Sequence, residues 1–254
     1  PDLGALIARP ALNSRYPASG PNTATAADRA GNPDLRPELA TGIDLAAERY
    51  LEGGGILSAN VFARRLRNYM RSVTALETVS WSPVPRWVAR QRNIGEASTQ
   101  GVELEAKFRL DQWVANAPRV DVRSNLSLYR SRVEAVPGPD NRLDSQARAT
   151  ANVGADYRLR GLPLTVGGNL NLVPGYRTQV SAEQATTVST KRVWDAFALW
   201  TFSPTVGLRV LASNLAPQDY VTNSTFLLDT RLREAATTVT PGHVNWQFRL
   251  ELRI

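Results

Sequence analysis

The chain has 254 residues, 43% of them hydrophobic, and a formal net charge of +7, which is too much apolar material for a disordered polymer and enough for one large domain. There is no cysteine, which excludes disulfides and thiolate metal sites, and the single histidine, His243, makes a poor transition-metal site by itself. Nearly all the positive charge is arginine, since Lys107 and Lys191 are the only lysines; it is spread along the chain without a basic helix or aromatic RNA-binding signature, which argues against nucleic acid as a partner.

No apolar run approaches the ~18 residues of a transmembrane helix. Strands that cross a bilayer escape that test, because half of their residues are polar. Alternation of period two yields about ten strands, most of them longer than those of soluble sheets. In chain order, residues 3–9 read as the end of one strand, followed by a loop rich in proline, asparagine and glycine up to about Pro37. Residues 38–51 set Ile43, Leu45 and Ala47 against Asp44, Ala46 and Glu48, and the triple glycine 53–55 turns the chain. Residues 56–72 return with Leu57, Ala59, Val61 and Ala63 opposite Ser58, Asn60, Phe62 and Arg64, and 73–93 read as a loop.

Residues 94–109 alternate most sharply, with Val102, Leu104, Ala106 and Phe108 opposite Glu103, Glu105, Lys107 and Arg109. Strands at 119–133, 146–158, 164–178, 189–202 and 206–220 follow, and a Thr-rich loop leads to the last. From Val244 to Ile254 the alternation is unbroken: Val244, Trp246, Phe248, Leu250, Leu252 and Ile254 against Asn245, Gln247, Arg249, Glu251 and Arg253. Such a segment has one apolar and one polar face over the length a tilted strand needs to cross a bilayer.

The connections are sorted. Those at 52–55, 159–163 and 203–205 are short, those at 10–37, 73–93, 178–188 and 221–240 are long, and 110–118 is intermediate. Outer-membrane barrels sort their connections in this way, with short periplasmic turns and long extracellular loops. Tyr157, Trp194, Trp200, Phe202 and Trp246 fall toward strand ends, where an interfacial aromatic belt would sit.

For chemistry, the carboxylates Glu103 and Glu105 share a strand face, but nearby arginines favour charge pairing over acid–base work. Nothing points to a catalytic residue, a metal or a cofactor. For binding, Trp81, Arg86, Trp87 and Arg90 combine flat apolar faces with fixed positive charge, a mixture suited to an anionic aromatic chelate. Arg64, Arg109, Arg123, Arg148 and Arg209, with Glu103 and Glu105, are expected to line a wet lumen.

The segment Gly31-Asn32-Pro33-Asp34-Leu35-Arg36-Pro37-Glu38 closely resembles one that enters a barrel strand in TonB-dependent outer-membrane receptors. Arg9-Pro10 with Leu12 and Pro17 upstream, Asn93-Ile94-Gly95-Glu96-Ala97 followed by Gly101-Val102-Glu103, and Ser213-Asn214-Leu215 with Tyr220 resemble further landmarks of that family, in its order. The chain departs from the pattern at Ala216-Pro217, where Phe-Asp is common, and at Ile254, where an aromatic is usual. The resemblance implies the later part of a barrel of roughly 22 strands plugged by an N-terminal domain. It also implies uptake of a scarce ligand, most often a ferric siderophore, energised by the TonB complex. Plug, TonB box and early strands are not in this sequence, which starts at Pro1 and is expected to be a fragment.

The fold expected is all-β: an antiparallel transmembrane β-barrel segment in the outer membrane of a Gram-negative bacterium. As an isolated chain it should be an open partial barrel, with outer-membrane lipid, the plug and the remaining strands of the receptor as its partners. The alternatives are a complete small barrel, acting as a passive pore or a rim-site hydrolase, and a soluble carbohydrate-binding β protein.

Overall fold

The computed structural model describes residues 3–227 and 233–252. After a short helix α1 (Leu3–Leu6), the elements are β1 (Asp28–Arg29), β2 (Leu39–Tyr50), β3 (Ile56–Arg67), β4 (Met70–Glu77), β5 (Arg86–Asn93), β6 (Ala97–Arg109), β7 (Val120–Val133) and β8 (Ala149–Arg158). They continue with β9 (Leu164–Val173), β10 (Tyr176–Gln179), β11 (Gln184–Val188), β12 (Lys191–Ser203), β13 (Val206–Ser213), β14 (Tyr220–Leu227), β15 (Arg233–Thr240) and β16 (Asn245–Leu252). The main sheet has nine strands in the order β16-β13-β12-β9-β8-β7-β6-β3-β2, every pair antiparallel. β2 and β16 form its two edges and do not pair with each other, so the barrel is open.

Residues directly opposite on antiparallel strands share a face. One face carries Leu45, Val61, Val102 and Leu128 in one row, and Leu208, Leu250, Val210 and Phe248 farther along the sheet. Leu104, Phe248 and Leu250 are 43%, 70% and 61% exposed, so no second layer covers them, and a stacked sandwich of the kind a soluble sugar-binding protein would use is excluded. Tyr157, Trp194, Trp200, Phe202 and Trp246 share this apolar face, at both ends of its strands.

The opposite face is polar. Asn171 donates to Asn152 and Asn152 to Asn125, a row of side-chain amides running across β9, β8 and β7. Phe62 covers Gly101 and Phe197 covers Gly167, each ring occupying the space a Cβ would need. Arg64 stacks on Phe62 at 5.0 Å and Arg209 on Phe197 at 4.7 Å.

Connections at one end are the short 51–55, 159–163 and 204–205 and the intermediate 110–119. In the first, Gly53, Gly54 and Gly55 all have positive φ, which explains the glycine triplet. The opposite end holds every long connection and most of the buried residues. Tyr69, Ala97, Val133 and Val136 form its apolar cluster, with Leu66, Ile94 and Leu143 packed against them.

Three expectations need correction. Residues 3–9 are not a strand: Gly31 N–H donates to the Ile7 carbonyl at 3.1 Å and Asn32 N–H to the Ala5 carbonyl at 2.6 Å, so this backbone bonds to a loop and not to the sheet. The segments read as loops at 73–93, 178–188 and 221–240 are largely strands, because β-branched runs such as Thr186-Thr187-Val188 and Thr237-Thr238-Val239-Thr240 suit an extended backbone. The strand read as 56–72 ends at Arg67 and that read as 206–220 ends at Ser213, since Asn68 and Asn214 take positive φ and break the extension. The final strand runs over Asn245–Leu252; Arg253 and Ile254, assigned to it from sequence, lie outside the described residues.

Two small sheets arise from the long connections. β1 pairs in parallel with β5, which pairs with β4, and β10-β11-β14-β15 form a four-stranded sheet. The segment 31–38 is stapled to β5: Asn32 Nδ2 donates to the Gln91 carbonyl at 3.1 Å, and Arg36 N–H to Asn93 Oδ1 at 2.8 Å. Asn93 Nδ2 donates in turn to the carbonyls of Arg36 and Asn68, at 3.0 and 2.7 Å. Asn93→Ala removes all three bonds and should cost about 1–3 kcal/mol. The expected result is faster hydrogen exchange at the Arg36 amide with β7–β9 protection unchanged; equal exchange at Arg36 would show that the staple is idle.

Candidate functional site

The hairpin β4–β5 organises the long-connection end through two buried arginines. Arg86 lies on β5 with its side chain fully buried against Asp28 of β1, also fully buried. Its Nε donates to Asp28 Oδ2 at 2.8 Å and Nη2 to Oδ1 at 2.9 Å, while Nη1 reaches the carbonyls of Pro17 and Gly20 at 2.8 and 2.5 Å. Asp28 also accepts from the Asn13 amide at 2.9 Å and from Trp81 Nε1 at 3.2 Å. Burial alone would raise the Asp28 carboxyl, but the bonds from Arg86, Asn13 and Trp81, with the Arg86 charge, outweigh it and hold the group below its ordinary range.

Arg71 of β4 is the second tie. Its Nη1 donates to the carbonyls of Gln179 and Val180, both at 3.1 Å, and its Nη2 to that of Arg142 at 2.5 Å. An ion pair to Asp144 at 3.0 Å completes it. One side chain therefore joins three long connections.

The four residues assigned to ligand contact from sequence are thus parted. Trp81 and Arg86 converge on Asp28; Trp87 is fixed through its backbone, accepting from Asn22 Nδ2 at 2.9 Å and donating to Asn22 Oδ1 at 2.6 Å. Arg90 pairs with Glu77 at 2.7 Å, beside an Arg92–Glu77 contact. Arg86 cannot offer its charge to a ligand as expected, because a buried guanidinium with four of its donors engaged needs that carboxylate for its own solvation. Trp81, Trp87 and Arg90 stay half-buried. Asp28, Asn22 and Arg71 were not singled out in the sequence; a carboxylate next to Arg29 in an irregular stretch carries no local sign of a partner on β5.

Arg64, Glu103, Glu105, Arg109, Arg123 and Arg209 fall on the polar face of the main sheet, with Arg148 in line just before β8. Most of these charges are matched. Arg64 pairs with Asp44 at 2.9 Å, Arg123 with Asp156 at 2.6 Å, Arg148 with Asp140 at 3.3 Å and Arg209 with Glu251 at 2.6 Å. Arg109 holds Asp111 at 3.0 Å and Glu105 holds Lys107 at 2.6 Å. Glu103 accepts from Asn60 Nδ2 at 3.2 Å and from the Tyr129 hydroxyl at 3.1 Å. Among the described residues no group of three His, Asp or Glu side chains could hold a metal ion, and the His243 carbonyl accepts from Asn214 Nδ2.

The profile of the family described as TonB dependent receptor-like, beta-barrel matches residues 6–215. No curated protein sequence matches the chain. Solved structures of similar fold include the FrpB iron transporter from Neisseria meningitidis, 16% identical with a TM-score of 0.54 over 87% of this chain and 31% of that one. They include the ferric enterobactin receptor PfeA from Pseudomonas aeruginosa in complex with BCV-L6, 13% identical with a TM-score of 0.59 over 88% of this chain and 33% of that one. The siderophore receptor PirA from Acinetobacter baumannii is 15% identical with a TM-score of 0.56, over 89% and 33%. At these identities the likeness is one of fold, and the chain spans about a third of the length of those receptors. Members of the matched family are receptors and transporters, not enzymes. An open antiparallel sheet, apolar on one face and charged on the other, and a profile match over most of its length lead to one assignment: the chain belongs to the TonB-dependent receptor β-barrel family.

Proposed function

We propose that the chain is the C-terminal part of the barrel of an outer-membrane receptor that takes up a ferric siderophore or a similar chelate, energised by the TonB complex. The observation that carries this reading is the pair of free edges, β2 and β16, on a sheet whose apolar face is exposed and whose polar face is laced with ion pairs. Lipid then covers the apolar face, the remaining barrel strands pair with the two edges, and an N-terminal plug fills the polar side. The names of its structural neighbours point to iron: a ferric enterobactin receptor, a siderophore receptor and an iron transporter. One further neighbour was solved as a complex of FpvAI with pyocin S2.

Within this reading Arg86 serves by holding the β4–β5 hairpin, and Trp81, Trp87 and Arg90 are contacts for the chelate at separate places on it and not one cluster. The lumen arginines guide an anion by exchanging their present carboxylate partners for it. A strain deleted for the receptor and complemented with the full-length gene should grow on one member of a panel of ferric chelates that the deletion strain cannot use. Equal growth of the two strains on every chelate would remove iron uptake from consideration.

A further inference from the structure

Among the described residues three arginines are buried, Arg71, Arg86 and Arg142, all at the long-connection end. Arg71 and Arg86 each make four side-chain hydrogen bonds, to carboxylates and backbone carbonyls. Arg142, in the connection between β7 and β8, makes none. Its carboxylate neighbour Asp140 stands 3.7 Å from Nη2, beyond hydrogen-bond reach, and the same Oδ1 accepts from Arg148 at 3.3 Å. The Arg142 Nε is buried without a partner.

The segment that carries Arg142 is fixed. Its N–H donates to the Asp140 carbonyl at 2.9 Å, and its own carbonyl accepts from Arg71 Nη2 at 2.5 Å. Burial, and then the like charge of Arg148, hold the Arg142 guanidinium below its ordinary range in spite of Asp140. Across from it, Tyr176 and Thr178 lie two apart on β10 and so point to one side. Burial first, and Tyr220 after it, keep the Tyr176 hydroxyl protonated above its ordinary range, with Arg142 near enough to pull the other way. Thr178 is 4% exposed, and its Oγ1 also lacks a partner.

We infer that Arg142, Arg148 and Thr178 form a site for one carboxylate group of a small solute, reached from the polar side of the sheet. A guanidinium taken out of water without hydrogen bonds is costly, and an anion that accepts from it removes the cost. The charge count sets the valence: two guanidinium groups share Asp140, while Asp144 is taken by Arg71, so one negative charge is wanting. A carboxylate supplies one, whereas a doubly charged phosphate would crowd Asp140. Two carboxylate oxygens match the planar fork side by side, an advantage that a spherical ion lacks. The Arg148 side chain is 69% exposed and gives the site its opening. The site stands apart from Trp81, Trp87 and Arg90, and does not depend on the solute carrying iron.

The test uses the full-length protein in a maltoside detergent, with lactate, lactamide, chloride or phosphate added at equal concentration. Hydrogen exchange is read at the amides of Arg142 and Gln179, both of which donate to the Asp140 carbonyl. Lactate should slow exchange at both, since a ligand that binds the folded state stabilises it, and the other three should do so less or not at all. Arg148→Gln should need roughly tenfold more lactate for the same effect. Arg142→Met should ignore lactate and, without it, protect the two amides at least as well as the wild type does, because an unpaired buried cation has been exchanged for an apolar chain. A purely structural arginine would behave in the opposite way, so faster exchange in Arg142→Met without lactate overturns the site. No response to lactate, or an equal response to lactamide, chloride or phosphate, overturns it too. Heat-modifiable migration of the same samples bears on the receptor reading alone and separates the two.

Discussion

Replacing Arg86 by methionine is expected to free the long-connection end from its anchor while leaving the nine-stranded sheet paired. The substitution leaves Asp28 charged and buried with no cation beside it, strips the Gly20 carbonyl of the guanidinium and leaves the Pro17 carbonyl with the Gly20 N–H alone. Removing one partner of a buried pair costs about 3–5 kcal/mol, most of it the penalty of the charge left behind. Residues 10–30 and 70–93 should become sensitive to limited proteolysis, with heat-modifiable migration of the barrel retained. The double variant Asp28→Leu/Arg86→Met removes the stranded charge and should recover part of the resistance; if it proves as fragile as the single variant, unpaired charge is not the cause. Acid gives an independent check. Asp28 has its folded pKa below the unfolded value of about 3.9, so its contribution is complete above that value and fades as the pH falls through the lower, folded one. Loosening of 10–30 should therefore begin below about pH 4 and be absent in Asp28→Asn, whose looseness should not vary with pH in this range.

The second large effect concerns the sheet edges. Expressed alone, the 254 residues should fail to form a stable barrel in membrane or detergent, whereas the full-length receptor should migrate in a heat-modifiable way. β2 and β16 each expose a row of backbone donors and acceptors, and unsatisfied groups in hydrocarbon cost several kcal/mol apiece, a total on the order of tens of kcal/mol. No interaction at the long-connection end approaches that sum. Hydrogen exchange gives the reading: β2 and β16 amides should be protected in the whole receptor and unprotected in the isolated chain. Protection of both edges in a monomer of the isolated chain would mean that it closes on itself and that no further strands are needed.

The strands of the main sheet were legible because each meets two environments and nothing else, so alternation at Val102-Glu103-Leu104-Glu105 reports faces directly. The same parity sets Arg64, Arg109, Arg123 and Arg209 on one face of the sheet, opposite the face of Leu104 and Leu128. Parity says nothing about which sheet a strand joins. Thr237–Thr240 therefore read as a loop although it pairs with β14, and residues 3–9 read as a strand although their backbone is taken by Gly31 and Asn32. The loop site was the least legible part. Arg86 and Asp28 are 58 residues apart, and a guanidinium destined for burial looks, in sequence, like one kept for a ligand.

Arg71 grips carbonyls from two separate connections and a carboxylate, so the surface at this end is assembled from segments far apart in sequence. An antibody raised against this folded end would recognise a discontinuous epitope, and linear peptides copied from 70–93 would imitate it poorly. A change that dislodges one connection disturbs its neighbours for the same reason, so substitutions between the ties should be tolerated better than those at Asp28, Arg71 and Arg86.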